Sequence, residues 1–374
     1  MNKRTLLICA AIAAVLAAAV TFWFSSDAGG VSEETTRATR TRNRHPWRTG
    51  RLAFVPETVE QAFVPHPRIV ALAPGIAQIV RDLGCAQLLV GRHSADEWSE
   101  PRLRVCCDPQ GIDYENLLAA DPTHIFLQWG DNPIPPRLTA LAIERKWTVV
   151  NIPLLQLDDI THAVNTVHAA IQPQELDALR WERAHTATNT PDGRPSAQPS
   201  EAEQNLAVAL LMLLQRFEAA LVPDETLASA GRILLLYQGD GEQATGGGRP
   251  AALGPGSYHH DLLLRLGGRT ATTQGQVFMP LDGEDVARLA PDAIIIIRPR
   301  SSGAAQASAA PTTGELLASL GVIARLNIPA VRNNRIAIID EPMSLIPGTN
   351  MAEVADHLRA ILKRWAISAT PDSR

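Results

Sequence analysis

The chain has 374 residues, of which 45% are hydrophobic and 20% charged, and a formal net charge of -5. That length, less a membrane segment and linkers, suits about two lobes of ordinary size. The mild negative balance lacks the global basic footprint of a nucleic-acid binder and sets nucleic acid aside as a partner.

Residues 1–4 carry Lys3 and Arg4, and Thr5 to Phe24 is uncharged and rich in Leu, Ile, Ala and Val. A stretch of this length can span a bilayer, with the basic end in the cytoplasm and the rest outside. A cleaved signal peptide is the competing reading. The apolar run is longer than a usual signal core and no small-x-small site stands beside Phe24, which favours an uncleaved transmembrane anchor over 5–24. Residues 25–67 mix Ser, Thr, Gly, Arg and Pro without sustained periodicity and read as a flexible stalk.

From Arg68 short apolar runs alternate with amphipathic stretches. Ile69 to Leu72 reads as a strand, Ile76 to Leu83 as a helix and Leu88 to Val90 as a strand; Tyr114 to Ala120 is a short helix, Thr123 to Gln128 a strand, Pro136 to Lys146 a helix and Thr148 to Ile152 a strand. This βαβ rhythm predicts a parallel sheet and a first lobe over 68–156. Residues 157–231 read as a helical connector. Helical patterns run from Leu157 to about His185 and from Glu201 to Leu221, separated by a Pro- and Gly-containing loop at 186–200. A second lobe over 232–366 opens on the strand Arg232 to Tyr237 and closes on the helix Ala352 to Trp365, leaving a tail at 367–374.

The second lobe echoes the first. Leu117-Leu-Ala-Ala-Asp-Pro-Thr-His-Ile-Phe matches Val286-Ala-Arg-Leu-Ala-Pro-Asp-Ala-Ile-Ile, each a helix end, a proline and a strand. Val80-Arg-Asp-Leu-Gly likewise resembles Leu264-Arg-Leu-Gly-Gly. Two matches in the same order predict a duplicated lobe.

Few motifs carry chemistry. Gly239-Asp-Gly-Glu-Gln-Ala244 fits a loose dinucleotide fingerprint, but loop material follows where the phosphate-binding helix should open, so it reads as a cleft loop. Ser257 with His259 and His260 offers a nucleophile, a base or metal ligands; the plainer expectation is that Ser257 caps the helix that follows, with the histidines at the surface or in a cleft. No metal site is expected. Cys85 could bridge to Cys106 or Cys107 in an oxidising compartment. Carboxyl ends of parallel strands face the binding crevice, so His93, Trp129, Tyr237 and Arg298, each at or just after a strand, are cleft candidates. The aromatics could stack on a flat ligand and Arg298 could meet a carboxylate or phosphate.

The ordered set Arg68-Ile-Val-Ala-Leu-Ala-Pro74, Leu83-Gly84 through Leu89-Val-Gly91, Asp121-Pro122, Gly254-Pro-Gly-Ser-Tyr258, Leu266-Gly-Gly268 and Leu289-Ala-Pro-Asp292 resembles the periplasmic-binding proteins of iron-siderophore and vitamin B12 importers, over Arg68 to Trp365. The resemblance implies an α/β fold of two similar parallel-sheet lobes joined by a long helical connector. It implies a non-enzymatic receptor at the extracytoplasmic, periplasmic face of the cell membrane. Such a receptor binds a metal chelate, a corrinoid such as cobalamin or a ferric siderophore, and needs no cofactor of its own. It delivers that ligand to an ATP-driven (ABC) permease. Pro74, Ser257 and Tyr258 join the cleft candidates on this ground. Family members dock on the permease through one surface glutamate per lobe, and Glu115 and Glu284 each stand seven residues before a lobe proline, Pro122 and Pro291. Trp129, seven residues after Pro122, falls where B12-binding members present a cleft tryptophan, which leans the ligand toward a corrinoid. Two rival readings stay open: a membrane-tethered ligand sensor, and a chelatase-like enzyme on a related two-lobed fold.

Overall fold

The computed structural model describes residues 52–54, 67–130, 132–171, 201–237, 251–299 and 311–369. These belong to the unit Trp47–Arg374. The segments read as cytoplasmic lead (1–4), membrane span (5–24), connector loop (186–200) and glycine-rich loop (239–244) lie outside the described residues, as does most of the stalk. Among the described residues no helix is long and apolar enough to cross a membrane.

The first lobe runs β1 (Leu52–Phe54), β2 (Ile69–Ala71), α1 (Pro74–Asp82), β3 (Leu89–His93), β4 (Arg104–Asp108), β5 (Gly111–Ile112), α2 (Tyr114–Ala120), β6 (His124–Leu127), α3 (Pro136–Arg145) and β7 (Thr148–Asn151). Its sheet order is β1-β7-β6-β2-β3-β4-β5, with the five middle strands parallel and the two edges antiparallel. The edge strand β1 falls inside the range read as stalk. Its three residues pair with Val149 and Val150 of β7, and a strand that short leaves almost no periodicity to read.

A helix over 159–171, named α4, and α5 (Glu201–Ala220) occupy the connector. The second lobe then runs β8 (Arg232–Tyr237), β9 (Ala251–Leu253), α6 (Tyr258–Arg265), β10 (Arg269–Thr270), β11 (Phe278–Pro280), α7 (Gly283–Leu289), β12 (Ala293–Pro299), α8 (Thr313–Ser319), α9 (Pro329–Arg332), β13 (Ile336–Glu341) and α10 (Met351–Ala369). Its sheet order is β11-β9-β8-β12-β13, with β10 alongside the start of β8.

The central strands are apolar on both faces because helices cover both faces of a parallel sheet. In the first lobe Ile69, Phe126 and Val150 face one core while Val70, Ile125 and Val149 face another. In the second, Leu235 and Ile295 alternate in the same way with Leu234 and Ile294. One of these cores passes through both lobes. It takes in α1, α4, α10 and the inner face of each sheet, from Ile76 and Phe126 to Leu235, Ile295 and Leu358. Two lobes packed on one shared core cannot rotate far against each other without exposing it.

The duplication read in sequence recurs as one structural corner built twice. Asp113 caps α2 by accepting from the N–H groups of Glu115 and Asn116, and Asp282 caps α7 by accepting from that of Asp285. Both helices are seven residues long and end on a left-handed residue, Asp121 at φ 44° and Ala290 at φ 41°, before a proline and a buried strand. The arginine that opens each lobe closes the corner: Arg68 donates to the carbonyls of Ala120 (2.6 Å) and Asp121 (2.8 Å), and Arg232 to that of Ala290 (2.8 Å).

Two sequence expectations are corrected here. Cys85, Cys106 and Cys107 are buried, and no disulfide joins Cys85 to Cys106 or Cys107. Cys85 lies in the shared core and the other two in the core on the opposite face of the first sheet, so the sheet itself separates the thiols. Burial, with the carboxylate of Asp113, pushes the Cys106 thiol up to about 12, which keeps it protonated and unreactive.

His259 and His260, expected at the surface or in a cleft, are both buried. The His259 ring is paired with the Ser344 carbonyl across to the loop after β13, and that of His260 with the Thr272 carbonyl at 3.2 Å. Burial holds His259 down to about 4, and likewise His124. Both rings are therefore neutral in the folded protein well below the ordinary histidine range. The unfolded chain takes up these protons as pH falls through about 6.5 and the folded chain does not, so stability present at pH 7 is lost toward pH 4. Urea unfolding should lose roughly 2 kcal/mol per histidine between pH 7 and 5, and the His124→Gln variant should show a visibly flatter dependence.

Candidate functional site

In an open α/β sheet the crevice lies beyond the carboxyl ends of the strands, where the chain leaves the sheet to either side. In the first lobe that point lies at β2, between β6 and β3. Pro74 opens α1 just after β2, His93 ends β3, and Trp129 follows β6. Asn151, at the end of β7, shapes this edge: its Oδ1 accepts from the Trp129 N–H at 2.9 Å and its Nδ2 donates to the Gly130 carbonyl at 2.9 Å. The turn needs glycine, since Gly130 sits at φ +60°. Trp129 is half-buried against the outer core, and Leu155, 43% exposed, lies beside Gly130.

His93 is held below the ordinary histidine range by burial. Its Nδ1 accepts from the Ala95 N–H at 2.9 Å, so the neutral ring carries its proton on Nε2.

Across the crevice Tyr237, at the end of β8, packs edge to face on Phe278 of β11 at 6.3 Å between ring centres. Phe278 is 52% exposed. The remaining second-lobe candidates are already engaged. Ser257 is buried as the cap of α6, accepting from the His260 N–H and donating to the Gly254 carbonyl at 2.8 Å. The Tyr258 hydroxyl donates to the Leu154 carbonyl and so ties the two lobes together, and burial raises its pKa. Arg298, a candidate for either a ligand anion or a salt bridge, donates to Asp340 at 2.6 Å on the neighbouring strand, because the β12–β13 register sets the two side by side. The Ser257 cap is the one expected from sequence, whereas the tie and the ion pair join residues far apart in the chain, which a reading of residue types misses.

The lobes also enclose a pocket of about 240 Å³ that no sequence motif marked. The first lobe contributes Gln78, Arg81 and Asp82 from α1 and Trp98 from the loop after β3; the second contributes Glu341 and Met343 from the end of β13, and Asn350 and Glu353 from the head of α10. Arg81 is committed: it donates to both carboxylate oxygens of the fully buried Asp96 (3.0 and 3.1 Å) and to Ser99 Oγ at 2.6 Å. Thr349 donates to Asp82, closing the lobes on this side. Trp98, 39% exposed, was the available signal, one of few aromatics and placed after a strand end.

Glu115 and Glu284 are exposed, each the second residue of its short helix. Among the described residues no group of three or more His, Cys, Asp or Glu side chains is arranged to hold a metal ion.

No family model and no curated protein matches the chain. Solved structures do. The periplasmic heme-binding protein RhuT from Roseiflexus sp. RS-1 is 18% identical with a TM-score of 0.55, over 80% of this chain and 99% of that one. The periplasmic vitamin B12-binding protein BtuF of Vibrio cholerae is 18% identical with a TM-score of 0.53, over 80% and 98%. A periplasmic heme-binding protein from Pseudomonas aeruginosa is 18% identical with a TM-score of 0.51, over 82% and 95%.

Proposed function

We propose, from the premise that this chain carries the two-lobed fold of the periplasmic heme- and vitamin B12-binding proteins, that it is a non-enzymatic receptor of an ABC importer. It binds a metal chelate between its lobes outside the cytoplasm and hands it to the permease. The observation that carries this reading is the crevice itself: half-buried or exposed apolar side chains, Trp129, Leu155, Trp98 and Phe278, stand at strand ends and in the loops beside them. Aromatic and apolar side chains gathered at a crevice are what a partly apolar ligand covers on binding. The shared core keeps that crevice largely preformed. The anchor over 5–24 would hold the receptor beside the membrane, and Glu115 and Glu284 would dock one lobe each on the permease through charge-assisted bonds.

Titrating the protein with cobalamin, haem and ferric siderophores while following tryptophan fluorescence tests this reading. Trp129→Ala should weaken the chelate that binds by about tenfold or more, as loss of a central aromatic anchor does. An unchanged affinity in that variant would place the ligand elsewhere.

A further inference from the structure

His93 ends β3, the strand beside β2 at the crevice, and the turn that follows holds its ring in one pose. The ring's Nδ1 accepts from the Ala95 N–H at 2.9 Å. That turn is pinned from several sides. Arg92 Nη1 donates to the carbonyls of His93 (3.3 Å) and Asp96 (2.7 Å), the Asp96 N–H donates back to the His93 carbonyl at 3.0 Å, and the Ser94 N–H donates to the Cys107 carbonyl at 2.7 Å. Asp96 is itself fully buried, its carboxylate gripped by Arg81 and Ser99. A ring nitrogen that accepts carries no proton, so in the neutral ring the one proton sits on Nε2. Among the described residues that Nε2–H meets no protein acceptor, and it is not one of the buried atoms shut off from solvent. His93 therefore presents one open donor of fixed identity at a strand end.

We propose that His93 recognises an acceptor oxygen on the edge of the chelate through its Nε2–H and does not ligate the metal; the proposal rests on the receptor reading above. A histidine that binds a metal through Nε2 must free the lone pair of that nitrogen and carry its proton on Nδ1, where a carbonyl or carboxylate receives it. Here Nδ1 faces a donor instead. Moving the proton to Nδ1 would set two N–H groups against each other, and turning the ring over would forfeit the Ala95 bond. Donation from Nε2 requires neither change. Burial holds the ring below the ordinary histidine range, against the pull of the Asp108 and Asp96 carboxylates, so the same single donor is present at neutral pH. The group it fits is an oxygen with a free lone pair at the ligand's rim: a carboxylate, an amide carbonyl or a hydroxamate carbonyl.

Two measurements on the full chain in detergent test this. Nitrogen-edited NMR of the imidazole rings, with the His93 signals identified by their loss in His93→Gln, should show the Nε2–H tautomer at neutral pH; the Nδ1–H tautomer would overturn the assignment before any ligand is added. The second measurement sets the parent beside His93→Phe and His93→Gln, titrated with haem, iron-free protoporphyrin, cobalamin and a ferric hydroxamate, which offer the carboxylate, the amide carbonyl and the hydroxamate carbonyl in turn. For the probe that binds, His93→Phe should weaken binding about tenfold, as loss of one hydrogen bond does. His93→Gln keeps an N–H near the same point and should recover most of that loss. The visible bands of the bound metal should be the same in all three proteins, and a porphyrin should show the same loss with and without iron. Unchanged affinity in His93→Phe, or metal bands that shift in either variant, would overturn the role of His93 while leaving the receptor reading in place. Binding of none of the probes would overturn both.

Discussion

Replacing Gly75 with alanine should destabilise the protein by about 3 kcal/mol or more, as overpacking at a rigid contact does. Gly75 lies in the first turn of α1, where a Cβ would overlap the backbone carbonyl of Pro347 and press on Leu154 Cδ2 at 3.3 Å. A flexible side chain could swing aside, but a carbonyl oxygen moves only with its loop. That loop carries Gly348, Thr349 and Asn350 into α10, which packs in the core common to both lobes. The substitution therefore forces a choice between parting the lobes and distorting the start of α10. Gly84→Ala is the control: it sits at φ +77° with nothing within 4 Å of the added carbon, and should cost about 1–2 kcal/mol through backbone strain alone. Equal losses for the two variants, by urea unfolding, would mean that the lobes are not held at Gly75.

The second large effect is expected from Glu115→Ala combined with Glu284→Ala. Uptake through the partner permease should fall at least a hundredfold, with each single change costing roughly tenfold or more by loss of a paired interfacial charge. Ligand affinity and unfolding midpoint should stay nearly constant. Both side chains are exposed, and the caps of their helices come from Asp113 and Asp282, so removal costs only a few tenths of a kcal/mol of helix-dipole interaction. Under the proposed docking, two similar corners, each presenting one exposed glutamate, would meet the two halves of a permease. Full transport by the double variant would remove the docking role, and intact signalling with no transport in the parent would favour a tethered sensor.

Much of the scaffold was legible because its signals are local. Tyr114 to Ala120 appears as the helix expected from its pattern, Arg232 to Tyr237 as the strand, and Ser257 as the helix cap, since cap, period and proline act over a few residues. The doubled corner could also be read, since Asp121-Pro122 and Ala290-Pro291 mark the same left-handed turn before a strand. The site was less legible. A salt bridge and a ligand anion were equally open to Arg298 until the strand register set Asp340 beside it. His259 looked like a surface or cleft residue until the loop after β13 closed over it. The pocket between the lobes joins Gln78 to Asn350 across most of the chain, and polar residues of ordinary type give no signal until the fold brings them together. The cysteines looked able to bridge because their number and compartment allow it, whereas the sheet between them does not.

The measurement that bears most directly on the central claim is calorimetric titration of the full chain in detergent with cobalamin, haem and a panel of ferric siderophores. Saturable one-to-one binding of one chelate class, with little heat-capacity change beyond that of the buried ligand surface, is expected of a preformed crevice between lobes on a shared core. Absence of binding to every chelate in the panel would contradict the account.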